Sequence, residues 1–188
     1  VLSDVGDLGF YNGHVGSLNL NGFDQTVRDV LVVGATGFEE QHPGYLAMYV
    51  TSATPATLKL TGAGTYAPHN LNFRGEASLH YAGTGRLALT NTASTTTGSL
   101  TVSGGEVALL AGATWANCTN VVVSGTGKLT LDAGVAAKGA FSREATVSVS
   151  DAGTIDIPAG ETVVVRYLWR DGEPTFSGFY REGFVTGG

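Results

Sequence analysis

Apolar residues recur at a fixed interval along the middle of the chain, and this interval constrains the fold more than any other feature. The first series is evenly spaced, at about 21 residues per step: Leu58, Leu79, Leu100 and Val121. The second series has nearly the same spacing, at about 20–22 residues per step: Leu87, Val107 and Leu129. Both series then take a longer step of about 26 residues, to Val147 and Ile155 respectively. The shared longer step predicts one insertion, around residues 136–144, in an otherwise repeating unit.

Each repeat consists of short strand signals separated by glycine-rich turns. Triplets such as Leu58-Lys59-Leu60 and Leu129-Thr130-Leu131 read apolar, polar, apolar, which is the period of a half-buried strand. The segments that follow such triplets are rich in glycine, with two glycines in residues 61–64 and two in residues 82–85. Glycine adopts the positive φ of tight turns. Glycine makes up 28 of 188 residues, roughly twice the usual ~7%. The composition therefore favours many short strands joined by tight turns.

Two consecutive strands of a repeat form either a β-hairpin or two sides of one coil. The regular period favours the coil, because successive coils then place equivalent strands directly above one another. One coil cannot bury its apolar residues alone, whereas stacked coils bury them in a continuous column at about 4.8 Å per rung. The sequence thus predicts an all-β parallel β-helix (solenoid) with rungs of about 21 residues, and a length of 188 residues corresponds to about nine rungs.

Two regions depart from the repeat. Residues 34–56 are predicted to be an irregular insertion, either a long loop or a loop with a short strand at Leu46–Val50. Residues 166–188 are aromatic-rich and are predicted to form a C-terminal cap, because solenoids need their terminal rungs covered. The whole of residues 1–188 is interpreted as a single β-helix domain, a fragment of a larger protein.

Several segments resemble a known repeat. The stretch from Thr57 to Tyr66 is similar to the first half of an autotransporter-associated β-strand repeat, and the stretch from Leu100 to Val107 is similar to the second half. Residues 167–180 resemble the element that often ends such arrays. The resemblance implies a right-handed parallel β-helix on a secreted or cell-surface bacterial protein. It implies no catalytic residue, because the repeat motif is structural.

Charge and hydropathy exclude several partners. Ten basic and sixteen acidic residues give a net charge of −6, and no basic stripe occurs, which argues against nucleic acid as a partner. No apolar run approaches the roughly 18 residues of a transmembrane helix, so no membrane insertion is predicted for this segment. Six acids and one base lie in residues 1–56, so most of the acidity precedes the repeats. Neighbouring domains of a longer chain are expected partners.

Cysteine, histidine and carboxylate spacing gives no metal-binding or cofactor motif. Cys118 is the only cysteine and is interpreted as an incidental or buried thiol. The histidines lack H-x-H and H-E-x-x-H spacing, which argues against a metal site: His14, His42, His69 and His80. Four acids could form a carboxylate pair or ligate calcium, but they form no D-x-D-x-D loop and are interpreted as solvated: Asp24, Asp29, Glu39 and Glu40.

Two constellations are candidates for chemistry. The first combines an acid, bases and a cation near two adjacent strands: His69, Asn72, Arg74, Glu76 and His80. Such a group can abstract a proton at a sugar carbon, although simple alternation along a solvated strand gives the same pattern. The second is aromatic and can stack on sugar rings or cover the last rung: Tyr167, Trp169, Phe176, Phe179, Tyr180 and Phe184. Arg170 and Asp171 lie beside it and can hydrogen-bond hydroxyls, whereas Trp115 is interpreted as a corner or loop anchor.

The sequence favours a non-catalytic scaffold or adhesin-like module, without cofactor, on a secreted or cell-surface bacterial protein. The alternative is a carbohydrate-binding or polysaccharide-degrading β-helix, acting as a lyase or a glycoside hydrolase. A glycan or a host or cell-surface ligand is the expected binding partner. The candidate ligand-binding residues are Trp169, Tyr167, Arg170, Asp171, Tyr180, Arg74 and His80.

Overall fold

The computed structural model describes residues 8–11, 16–28, 30–33, 48–68, 71–90, 93–110, 112–132, 134–135 and 139–181. These ranges contain strands and turns but no helix. The strands are β1 (Leu8–Tyr11), β2 (Gly16–Asn19), β3 (Gln25–Val27), β4 (Val30–Val33), β5 (Met48–Leu60), β6 (Thr65–Tyr66), β7 (Leu71–Tyr81), β8 (Arg86–Leu89), β9 (Leu100–Val102), β10 (Glu106–Leu109), β11 (Asn120–Val123), β12 (Lys128–Leu131), β13 (Thr146–Val149), β14 (Thr154–Asp156), β15 (Thr162–Arg170) and β16 (Glu173–Arg181).

The strands assemble into two stacked sheets, and a separate parallel pair joins β1 to β4. The long sheet has nine strands in the order β16-β15-β13-β11-β9-β7-β5-β2, with β3 also pairing with β5. The short sheet has five strands in the order β14-β12-β10-β8-β6. From β5 to β15 the chain visits the two sheets alternately, and each strand pairs in parallel with its equivalent in the next turn. This connectivity is a β-solenoid.

Both predicted series are confirmed by the strand register. The long sheet aligns one residue from each of six strands: Leu58, Leu79, Leu100, Val121, Val147 and Leu168. The short sheet aligns a second set: Tyr66, Leu87, Val107, Leu129 and Ile155. The coil makes about five turns with rungs of about 22 residues. The expectation of about nine rungs was wrong, because it divided the whole length by the period, whereas the regular turns begin at β5 and end at the β15–β16 hairpin.

A third side of the coil carries little regular strand but keeps the same stacking. Val50 pairs with Phe73, and the Thr95 amide donates a hydrogen bond to the Phe73 carbonyl at 3.0 Å. Isolated bridges continue this side between Ala93 and Thr114 and between Trp115 and Phe141. Leu109 is in register with Leu131, and the step along the chain between them is shorter than that between Trp115 and Phe141. The extra residues of the long step therefore lie between Leu131 and Phe141, which overlaps the predicted insertion.

The core is the column enclosed by the three sides. Alternate residues of each short strand point into it, as in β11 and β13, where the valines at 121, 123, 147 and 149 are buried. The largest fully buried side chains are Trp115, Tyr81 and Phe73. Trp115, interpreted from the sequence as a corner or loop anchor, lies outside the named strands on the third side, and its side chain fills the column with no exposed surface.

The structure shows a longer strand than either alternative predicted for residues 34–56, a long loop or a loop with a short strand at Leu46–Val50. Residues 48–56 belong to strand β5, which pairs with both β2 and β7, and residues 34–47 lie outside the described part of the chain. The alternating burial of β5 stops for three exposed residues, 53–55, and then resumes. Strand β7 has the same break at residues 74–76. This exposed corner interrupts the period-two pattern of β5. The sequence pattern therefore does not show that residues 48–52, before the corner, belong to the same strand.

The C-terminal segment continues the long sheet. Residues 166–170 belong to β15 and pair in parallel with β13, and β16 then folds back antiparallel onto β15. Asp171 (φ 51°) and Gly172 (φ 83°) connect the two strands, and two consecutive positive φ angles define the tight hairpin turn that Asp-Gly favours. Residues 182–188 of the predicted cap lie outside the described part of the chain.

Candidate functional site

The outward positions of the long sheet form two parallel rows of side chains, which we call the outer strip. One row continues from strand to strand through Lys59, His80, Thr101, Val122, Ser148 and Trp169. The other row contains Thr57, Ser78, Ser99, Asn120, Thr146 and Tyr167. All twelve side chains are partly or fully exposed, because the residue between the two rows on each strand points into the core. The solenoid thus presents a continuous surface with one pair of side chains per rung.

The outer strip contains no aspartate or glutamate, although the chain has a net charge of −6. Apart from the Tyr167 phenol, its charged or titratable groups are Lys59 and His80, which are neighbours in register. The remaining side chains of the two rows are hydroxyls, one amide, one valine and two aromatic rings. The strip is therefore a surface without negative side chains on an acidic protein.

The outer face of the short sheet has a different character. Arg86 Nε lies 3.0 Å from Glu106 Oε2, and the Thr130 hydroxyl donates to Glu106 at 2.7 Å. Lys128 Nζ lies 2.5 Å from Asp156 Oδ2, and this hydrogen bond raises the pKa of Lys128. Acids and bases alternate from rung to rung and compensate one another. This face has the features of a structural surface, since its charged side chains pair with one another.

His80 occupies the row next to Lys59. Its Nε2 shares a hydrogen bond of 2.8 Å with the Ser103 hydroxyl. Partial burial lowers the pKa of His80 below its usual value, and the positive charge of Lys59 lowers this pKa further. The imidazole is therefore neutral at pH 7, and Lys59 carries the positive charge of the strip.

Protonation of His80 is expected to destabilise the fold. Because the folded-state pKa lies below the unfolded value of about 6.5, the unfolded chain binds the proton more readily. Stability is then lost as the pH falls from 7 through about 6.5 toward the lower folded pKa. Denaturation midpoints measured between pH 8 and pH 5 should fall less for His80→Gln than for the parent chain. Identical pH profiles for the two proteins would refute this role of His80.

Tyr167 and Trp169 form an aromatic pair at the end of the outer strip. They are two residues apart on β15 and pair in register with Thr146 and Ser148 respectively, so both rings project from the outer face. Tyr167 is 42% exposed and Trp169 is half-buried. The Arg166 guanidinium lies 5.3 Å from the centre of the Tyr167 ring and forms an ion pair of 2.8 Å with Glu144. Two adjacent rings with hydroxyl neighbours suit the stacking of a sugar.

The structure does not bring the first predicted constellation together. Asn72 is buried, and its Oδ1 accepts a hydrogen bond from the Ala93 amide at 2.7 Å. Arg74 lies at the exposed corner of β7, with its guanidinium 3.7 Å from the centre of the Tyr49 ring. Glu76 lies at the same corner, whereas His80 belongs to the outer strip beyond it. His69 lies outside the described residues.

The predicted polar neighbours of the aromatic pair have turn-building roles. Asp171 lies in the hairpin turn, and its Oδ1 accepts a hydrogen bond from the Asp151 amide at 3.0 Å. Arg170 precedes this turn, with Nε 3.9 Å from Asp171 Oδ2. Tyr180 pairs with Val163 in the antiparallel ladder, as Phe179 does with Val164 and Phe176 with Leu168. The side chains of these three β16 residues, and all of Phe184, lie outside the part that the structure describes.

The remaining candidates have structural environments or lie outside the described residues. Asp24 Oδ1 accepts a hydrogen bond from the Thr57 amide at 2.7 Å, joining two neighbouring turns. Cys118 is buried, as predicted, and burial raises the pKa of its thiol. The other candidates lie outside the described ranges: His14, Asp29, Glu39, Glu40 and His42.

Two further kinds of feature are absent from the described ranges. No three histidine, cysteine or carboxylate side chains in these ranges lie close enough together to hold a metal ion. Nor do these ranges include a helix of the length and hydropathy needed to span a membrane.

The chain was compared with protein families, curated proteins and solved structures. None of the three comparisons gives a match. The resemblance to autotransporter-associated repeats therefore stays a prediction based on the repeat residues.

Sequence reasoning selected His80, Tyr167 and Trp169 but missed most of the outer strip. The missed residues include the middle positions of the apolar triplets: Lys59, Thr101, Val122 and Ser148. The signal was present, because the series that aligns Leu58 with Leu79 also aligns the residue after each of them. Aligning these middle positions would have shown a row without carboxylates.

Proposed function

We propose that this chain is a non-catalytic scaffold or adhesin-like module of a secreted or cell-surface protein, of the kind that the bacterial repeat resemblance implies. The observation that supports this proposal is the outer strip, a continuous surface whose side chains lie in register on successive rungs. A parallel stack of coils with a continuous apolar column provides a stiff support for such a surface.

The surroundings of the candidate catalytic residues also favour a non-catalytic role. Asn72 stabilises a backbone turn, Arg74 stacks on Tyr49, and His80 faces Lys59 and Ser103. A proton-transfer site needs its acid and base within hydrogen-bond reach of one substrate position. Asn72 is buried, Arg74 and His80 lie on separate parts of the surface, and each has a partner of its own.

Glycan binding is the second candidate function, and the Tyr167–Trp169 pair favours it. Sugar rings have apolar faces that pack on aromatic rings and hydroxyls that hydrogen-bond to polar neighbours. Here Thr146 and Ser148 provide hydroxyl groups directly beside the two rings.

A glycan array combined with a depolymerisation screen tests these functions. The chain should bind without releasing new sugar ends, or be silent in both assays, and Arg74→Gln/His80→Gln should likewise release no new sugar ends. Binding without turnover is the result expected of an adhesin, and silence in both assays is that expected of a scaffold. Turnover that disappears in the double variant would contradict the non-catalytic proposal.

A further inference from the structure

We infer that the outer strip binds an extended anionic polysaccharide, with the sugar chain lying along the coil axis from Lys59 to Trp169. This inference deepens the glycan-binding function proposed above and rests on it. It assigns to that function a ligand class, a direction and a cationic end that the aromatic pair alone does not provide.

The aromatic end of the strip fixes the position of a sugar. Tyr167 and Trp169 project from one face of β15, and the exposed Tyr167 ring is accessible to a ligand. Rigid aromatic side chains provide contact area at a small cost in conformational entropy. A pyranose ring stacked here has the hydroxyls of Thr146 and Ser148 on its side toward the rest of the strip.

The other end of the strip selects the charge of the ligand. Lys59 and His80 are neighbours in register there, and neither row of the strip contains a carboxylate. The Asp24 carboxylate lies beside this end, where its Oδ1 accepts a hydrogen bond from the Thr57 amide. Arg166 adds a second cation next to Tyr167, although Glu144 pairs with it. Most of the net charge of −6 precedes the repeats, so within them the positive charge of Lys59, on a strip without carboxylates, directs an acidic ligand to this surface.

The spacing of the strip suits a polymer better than a single sugar. Five rung steps separate Lys59 from Trp169, a distance of about 24 Å at about 4.8 Å per step. Thr101 and Asn120 lie between the two ends and offer a hydroxyl and an amide. A ligand along the axis thus meets polar groups on successive rungs and can contact the aromatic and cationic ends together.

Isothermal titration calorimetry with a galacturonic acid hexamer and its neutral, carboxyl-reduced counterpart tests this inference. The acidic hexamer should bind more tightly than the neutral one, and added salt should reduce the difference. Lys59→Gln should weaken binding of the acidic hexamer about threefold. Lys128→Gln is the matched control, because it removes a lysine from the short sheet, and it should leave binding unchanged. Trp169→Ala should weaken both hexamers about tenfold or more.

The outcomes separate this inference from the broader proposal. Equal binding of the two hexamers, with no effect of Lys59→Gln, would overturn the anionic assignment but keep glycan binding. Binding of neither hexamer would overturn the inference and leave the scaffold function standing. Equally tight binding of a thymidine hexanucleotide would assign the strip to anions in general and overturn the choice of a sugar. If circular dichroism shows that Trp169→Ala is unfolded, the comparison of Lys59→Gln with Lys128→Gln decides whether the strip binds the acidic hexamer.

Discussion

Replacing Trp115 with alanine is expected to lower the free energy of unfolding by about 3–5 kcal/mol. Trp115 has no exposed surface, and its ring centre lies 5.1 Å from that of Phe73, two turns away. The two rings meet because the intervening turn has the small, buried Ser94 at this position. Alanine would leave a cavity between rungs that a stack of rigid coils cannot close. Urea denaturation followed by circular dichroism measures the loss.

Trp115→Phe is the matched control for this substitution. It keeps most of the ring volume, and the indole Nε1 that it removes has no hydrogen-bond partner among the described residues. The expected loss is therefore only about 1–2 kcal/mol. Equal losses for the alanine and phenylalanine variants would contradict the packing role of this ring.

Replacing Gly83 with alanine is the other change with a large expected effect, about 3 kcal/mol. A Cβ at this position would lie 2.0 Å from the carbonyl oxygen of Gly62 in the turn before. The next turn repeats the arrangement, since a Cβ on Gly104 would lie 2.6 Å from the Gly83 carbonyl oxygen. The obstacle is backbone, so the stacked turns must separate to admit a methyl group. Thermal unfolding followed by circular dichroism measures the effect.

Gly172→Asn is the control for a glycine in open space. Gly172 has a φ of 83°, and in the described structure no atom beyond its chain neighbours lies within 4 Å of its would-be Cβ. Asparagine tolerates this backbone conformation better than most residues, so the expected loss is below about 1 kcal/mol. A loss from Gly83→Ala as small as that of this control would show that the turns are not closely stacked.

The repeating part of the fold was predictable because equivalent positions share one environment. Leu58, Leu79 and Leu100 occupy the same place in successive turns, so the sequence repeats the same residue there. The glycine content has the same origin, since stacked turns such as those at Gly62 and Gly83 bring backbone against backbone. The regular spacing of equivalent residues therefore makes these two sheets predictable from a single sequence.

The third side of the coil was not predictable in this way. Phe73, Ser94, Trp115 and Phe141 fill it in succession, and their sizes compensate one another across turns instead of repeating. The hairpin at Asp171 and Gly172 was missed for a different reason. Asp-Gly is a strong local hairpin signal, but the aromatic residues around it favoured the interpretation of a cap.

The candidate site was predictable in its residue types but not in its arrangement. Trp169 and His80 were selected separately, and only the register shows that they belong to the same row, four rung steps apart. Conversely, Asn72 and Asp171 have the chemistry of binding residues, yet each accepts a hydrogen bond from a backbone amide of another turn. Turn-to-turn contacts of this kind leave no mark in a single sequence.

Distances from a spin label on Thr26, on the strand beside Lys59, to labels on the outer strip test the in-register stacking of the strip most directly. Thr26 pairs with Lys59, so Val122 lies four rung steps from Thr26 and Trp169 lies six steps from it. Labels on Thr26→Cys with Val122→Cys, and on Thr26→Cys with Trp169→Cys, are introduced in a Cys118→Ser background. Pulsed electron paramagnetic resonance should give distances that differ by about 10 Å, two rungs of about 4.8 Å. A difference of about 19 Å would mean that a strand lies between successive repeats, as in a meander of hairpins, and would contradict the solenoid.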